Sequence, residues 1–159
     1  MSQVDPIPEG LHTITPYVLV SNAAEFIRFC QNAFEAFEQR RALGPDGKSI
    51  WHAHLRIGSS ALFISDESMG MGRKSAKTLG DSPLTIQLNV GDADATYKRA
   101  IAAGATARMP PQDMFWGDRY GQITDPFGNI WGISQHIKNL TPDEMAKAGA
   151  EAAKQFKQG

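Results

Sequence analysis

The sequence predicts an α+β protein made of two tandem βαβββ modules followed by a C-terminal helix. Three observations carry that reading. Alternating, β-branched stretches and one apolar-periodic stretch follow one another as strand, helix and three strands, and this order occurs twice. A shift of 70 sets Thr15 on Thr85, Val20 on Val90, Asn22 on Asp92, Ala23 on Ala93, Arg28 on Lys98 and Ala33 on Ala103, and a shift of 69 lays "ALFIS" (61–65) over "IWGIS" (130–134). Turn chemistry punctuates the strands, as in "GPDGK" (44–48) and "DPFGN" (125–129).

Residues 1–10, with two prolines and a glycine, read as a flexible arm. The first module spans 11–67. "TITPYVLV" (13–20) alternates as a strand, and "SNAAEFIRFCQNAF" (21–34) turns to helical spacing with Ser21 or Asn22 as the cap. "EAFEQRRAL", "SIWHAHLRIG" and "SSALFISDE" are its remaining strands. From 68 to 82 the chain is rich in Gly, Met, Ser and Lys without periodicity, which predicts a mobile connector. The second module, 83–137, repeats the order with "PLTIQLNV", a helix from the acidic cap of "DADATYKRAIAAG" to Gly104, and the strands "ATARMPPQDM", "RYGQITD" and "NIWGISQHI". In 138–159, Thr141, Pro142 and Glu144 form a capping box that opens the last helix.

Composition narrows the function classes. The 159 residues carry 16 basic and 17 acidic side chains, a net charge of −1, which argues against nucleic acid or an anionic membrane as the main partner. No apolar run approaches the roughly 20 residues of a membrane span, and no secretory signal opens the chain. A single cysteine, Cys30, fits a reducing cytoplasm; set among Phe26, Ile27, Phe29 and Phe34, it reads as a buried, inert thiol.

Strand alternation then sorts side chains by face. Ile14, Val18 and Val20, like Ile86, Leu88 and Val90, belong to the helix-covered side, with Trp51, Ala53, Leu55, Ile57, Leu62, Ile64, Trp131 and Ile133. The other side carries Thr15, Tyr17, His52, His54, Arg56, Phe63, Thr85, Gln87, Asn89, Gly132 and Ser134. That mixture of aromatic, small and polar groups suits an organic ligand with an apolar body and a few polar groups.

The duplicated order, together with "HAHLRIGSSALFISDE", "FWGDRYGQITDPFGNIWGISQHI" and "LTPDEM", resembles the glyoxalase / bleomycin-resistance / extradiol-dioxygenase (vicinal oxygen chelate) superfamily over roughly 11–146. The Trp-Gly-Asp-Arg-Tyr and Asp-Pro-Phe-Gly segments are similar to its small glyoxalase-like subgroup. The resemblance implies curled mixed sheets that form a cup, and often a homodimer in which modules of partner chains pair. It also implies a divalent ion held from the first and last strands of each module. Carried over, those positions are Thr15, Phe63, Thr85 and Gly132, and Gly132 stands where a glutamate would be. Phenylalanine and glycine offer no ligand, and two threonines are poor ones, so no metal or other cofactor is expected.

The expected protein is therefore cytoplasmic, homodimeric, and a binder of a small, partly aromatic molecule, acting by sequestration or in an accessory role. Tyr17, His52, His54, Phe63, Gln87, Asn89, Phe115, Trp116, Arg119 and Tyr120 are the candidate ligand contacts. Phe115 and Trp116 either cap the pocket or pack at a dimer interface. Arg119 meets an anionic ligand group or forms a surface ion pair with Asp118 or Asp125. The alternative is a metal-dependent lyase, isomerase or dioxygenase built on His52 and His54, with Asp66, Glu67 or His136 as a third ligand. A cup filled by its own side chains is the third possibility.

Overall fold

A computed structural model describes residues 4–156. The first module comprises β1 (Tyr17–Val20), α1 (Ala23–Phe34), β2 (Phe37–Leu43), β3 (Ile50–Ile57) and β4 (Ser60–Asp66). The second comprises β5 (Thr85–Asn89), α3 (Ala93–Ala102), β6 (Thr106–Asp113), β7 (Asp118–Thr124) and β8 (Ile130–His136). Each gives one four-stranded mixed sheet, in orders β1-β4-β3-β2 and β5-β8-β7-β6. In both, the first strand runs parallel to the last and the other pairings are antiparallel. The predicted duplication is thus reproduced strand for strand.

Both long helices start as the sequence dictates. Asn22 accepts from Glu25 N at 3.1 Å and Asp92 from Ala95 N at 2.9 Å, each satisfying a backbone donor that the first turn leaves orphaned. Asp66 adds a second cap: one of its carboxylate oxygens accepts from Ala23 N and the other from Ile50 N, both at 2.6 Å, joining α1 to β3. The helix α4 (Pro142–Phe156) opens on the predicted capping box, with Thr141 N donating to Glu144 Oε2 at 2.8 Å and Glu144 N to Thr141 Oγ1 at 3.3 Å.

The connector carries local structure. It holds a 3-10 turn at Met69–Met71 and a single helical turn, α2 (Ala76–Leu79). Glu67 anchors it by accepting from Ser75 N and Thr78 Oγ1, both at 2.9 Å. Apolar periodicity could not signal this, because side-chain acceptors rather than an apolar stripe hold the segment.

Seven of the twelve residues of α1 are apolar and buried: Ala23, Phe26, Ile27, Phe29, Cys30, Ala33 and Phe34. One side covers its own sheet, where Val20, Ala53, Leu55 and Ile64 are completely buried. Another side meets the second module. Phe26 lies 5.5 Å from Phe127 and 6.4 Å from Trp131, and Phe34 lies 4.6 Å from Trp131, as ring centroids. Burying side chains of this size is worth about 1.5–3 kcal/mol each. Cys30 belongs to this layer, and burial, then the nearby Asp125 carboxylate, push its thiol pKa well above the ordinary value.

Two side chains depart from the expected faces. Ile14 precedes β1 and is exposed, because β1 begins only after Pro16. Trp51, expected in the core, is 61% exposed. The β2–β3 register breaks between Ala42 and Leu43, so Ile50 takes the buried position and Trp51 is turned out beside Gly44. Trp131 is fully buried, as predicted.

The "DPFGN" turn has a specific holder. One oxygen of buried Asp125 accepts from Phe127 N and Asn129 N, and the other from Asn129 Nδ2 and Trp131 Nε1, at 2.8–2.9 Å. Burial pushes this carboxyl above the usual range, against the pull of those donors. Gly128, at φ 87°, supplies the left-handed residue that the turn requires. The turn, the indole and the α1 contact are one assembly.

Candidate functional site

Because α1 packs against the helix-facing sides of both sheets, the two opposite faces look outward in different directions. No hydrogen bond or aromatic contact among the described residues joins one outward face to the other. Each chain therefore presents two outward sheet faces.

On the first sheet, register places Arg40, His54, Phe63 and Tyr17 in one cross-strand row. His52 sits one row away, on the same face. The rings interlock edge to face: Tyr17 to His52 at 5.6 Å, Tyr17 to Phe63 at 6.1 Å, His52 to Phe63 at 4.7 Å and His54 to Phe63 at 4.9 Å. Arg73 reaches over from the connector, its guanidinium 5.4 Å from the Tyr17 ring centre and 3.4 Å from Ser65 Oγ. His54 is 7% exposed, yet its Nε2 has no hydrogen-bond partner in the protein. An orphaned imidazole nitrogen at this depth costs stability unless something else fills its need.

Burial holds both imidazoles below the ordinary histidine value, and the Arg40 charge adds to the effect, so both are neutral at pH 7. In the second module the opposite holds. His136 bonds Asn139 Oδ1 and Asp118 Oδ1, both at 2.9 Å, and the two contacts raise its pKa, while the His136 bond first and then Ser134 hold Asp118 low. These shifts have opposite signs in stability. Groups with a lowered folded value, His52 and His54, cost stability as pH falls below 6.5, whereas what His136 contributes is complete below 6.5 and lost as pH rises through its raised value. A proton NMR titration should show His52 and His54 with midpoints below 6.5 and His136 above it, and Asp118→Asn should bring only His136 down.

The second sheet carries the corresponding row Met109, Gln122, Gly132 and Gln87. Gln122 Nε2 donates to Tyr120 Oη at 2.9 Å. Trp116 stands 5.9 Å from Tyr120, and Phe115 5.0 Å from Trp116. Phe115 also touches α4 near Gly149, so it props the C-terminal helix. Asn89 lies opposite Ser134, whose hydroxyl donates to Asp118 at 2.9 Å.

The predicted residues thus divide. Tyr17, His52, His54 and Phe63 lie together on the first outward face, and Gln87, Asn89, Trp116 and Tyr120 gather at the second. Arg119 joins neither. Its guanidinium is bound by Asp94 of α3 and by Asp113, the latter at 2.8 Å, not by Asp118, Asp125 or open space. Strand parity already set it opposite Tyr120 and Gln122. Gln122 was missed although the same parity exposed it; Arg40 and Arg73 were missed because only the folded register and connector bring them in.

The positions expected for a metal do not fit one. The first-strand neighbours of Phe63 and Gly132 are Tyr17 and Gln87 rather than Thr15 and Thr85. A Cβ on Gly132 would come within 2.5 Å of Gln87 Oε1 and 2.6 Å of Tyr120 Oη, so the path a glutamate side chain would take is already filled. The third ligands considered for His52 and His54 are committed elsewhere: Asp66 to α1, Glu67 to the connector, His136 to Asp118. Among the described residues no group of three His, Cys, Asp or Glu could hold an ion.

A cavity of about 680 Å³ lies away from the Tyr17–Phe63–His54 row. It fills the cleft between the modules, where the unpaired edge of β5 looks across at residues 12–16 and the β3–β4 turn. Thr15, Gln87 and Asn89 reach it; His52, His54 and Phe63 do not. No described helix is long and apolar enough to cross a membrane.

A duplicated βαβββ chain with two four-stranded mixed sheets defines the class. Residues 10–133 match the Glyoxalase/Bleomycin resistance protein/Dioxygenase superfamily, and the chain belongs to it. It is 43% identical over 138 residues to an uncharacterized protein of Mycobacterium bovis, covering 85% of this chain and 90% of that one. The crystal structure of an Arabidopsis thaliana gene product superposes with a TM-score of 0.63 at 26% identity, covering 77% of this chain and 97% of that one. The fosfomycin resistance protein FosX of Mesorhizobium loti shares the fold, with a TM-score of 0.57 at 21% identity over 86% of this chain and 98% of that one.

Proposed function

We propose that the protein is a metal-independent binder of a small, partly aromatic molecule, and that the complete site forms between two chains. The first module's face of one protomer closes against the second module's face of its partner. The observation that carries this reading is the interlocked Tyr17–His52–Phe63–His54 row, an aromatic and imidazole surface on the outward face of the first sheet. Ring contacts of a ligand with Phe63 and Tyr17 supply apolar burial at about 25 cal/mol per Å². Gln87, Tyr120 and Gln122 then fix its polar atoms from the other side.

Complementation tests both parts. Phe63→Trp fills one half-site and Tyr120→Ala strips the other, and each alone should abolish saturable binding of a naphthalene dye. Unfolded, mixed and refolded together, they should regain about a quarter of the wild-type sites, because only heterodimers contain one intact pair. A mixture that stays inactive while wild type binds would place the site within one chain.

A further inference from the structure

We infer that the ligand of this site is an aromatic anion, held by Arg40 and Arg73 at opposite ends of the Tyr17–Phe63–His54 row. This inference rests on the reading above and adds the charge of the molecule recognised.

The first half-site is ringed by cations without counter-ions. Among the described residues neither Arg40 nor Arg73 takes part in an ion pair, whereas Arg28, Arg41, Arg99 and Arg119 all do. Arg56, also on this sheet, is occupied by the carbonyls of Gly10 and Ser59. Arg40 stands directly opposite His54 across the β2–β3 ladder. At the far end of the row, Arg73 is braced by the Ser68–Arg73 bridge, with Ser68 N donating to Arg73 O at 2.8 Å, so the connector aims its side chain over Tyr17.

The nearest acids do not neutralise the face. Asp66 is spent on two backbone donors and Glu67 on Ser75 and Thr78. What remains between the arginines is the ring surface of Tyr17, Phe63 and His52. A carboxylate, phenolate or sulfonate attached to a ring meets both demands: charge for a guanidinium and π-surface for Phe63 and Tyr17.

Paired probes test the charge separately from the site. 2-Naphthoate and 2-naphthylmethanol have nearly the same shape and differ in charge. Calorimetric titration should give about tenfold tighter binding of the naphthoate, shrinking as salt is raised. Arg40→Gln, at an exposed position, and Arg73→Gln should each weaken naphthoate by a clearly larger factor than the alcohol. Equal affinity for both probes overturns the anion assignment while preserving the pocket. A preference for naphthoate that survives both substitutions also overturns it, since the charge would then be read elsewhere. Failure of both probes to bind removes this inference together with the proposed function.

Discussion

Asp125→Ala should lower the thermal midpoint by about 10 °C, the largest effect expected of any single polar substitution in the chain. The carboxylate is 4% exposed and accepts four hydrogen bonds, two from backbone amides of the turn, one from Asn129 and one from the Trp131 indole. Removing it strands those donors in a site that water does not reach, at about 1–3 kcal/mol for the worst placed of them and less for the rest. A total near 4 kcal/mol corresponds to about 10 °C in a chain of this size. Asp125→Asn should lose roughly half as much, because the amide keeps one acceptor oxygen. Differential scanning calorimetry decides the matter. A midpoint within a degree or two of the parent for the alanine variant would mean that the turn holds itself.

Gly117→Ala should cost about 3 kcal/mol for two independent reasons. Its φ of +94° lies where a side chain is strained, worth about 1–3 kcal/mol. The added Cβ would also run into Lys138 O, which is backbone and cannot swing away. Gly117 O accepts from Ile137 N at 3.0 Å and Lys138 N at 2.9 Å, so relieving the clash disturbs the exit from β8 and the approach to α4. Near-ultraviolet circular dichroism should report a loosened Trp116, next in the chain. Gly149→Ala is the control. It lies in α4 with only ordinary contact to Phe115 at 3.4 Å, and alanine is the better helix former, so its midpoint should hold or rise.

Local chemistry made most of the architecture legible in advance. The caps at Asn22, Asp92 and Thr141 and the "DPFGN" turn act within a few residues, and the repeat supplied the order of strands. Where the reading failed, the cause was non-local. Trp51 followed strict alternation until a register break in a neighbouring strand exchanged it for Ile50. Arg119 shared its motif with site residues but was claimed by Asp94, 25 residues earlier on a helix. The connector looked structureless because Glu67, not an apolar stripe, organises it. His52 and His54 could be placed on the right face from parity alone. That His54 would lack a partner could not, since satisfaction of a buried atom is a property of the whole neighbourhood.

The two repeats have ceased to be interchangeable. The first helix buries seven residues, three of them phenylalanines, while its counterpart buries only Ala93, Thr96 and Ala100. The seam takes different rings from each half, Phe26 and Phe34 from the first and Phe127 and Trp131 from the second. A chain assembled from two second halves would have nothing to stack on Trp131, and one built from two first halves would set phenylalanines against each other with no indole between them. Neither half can therefore stand in for the other.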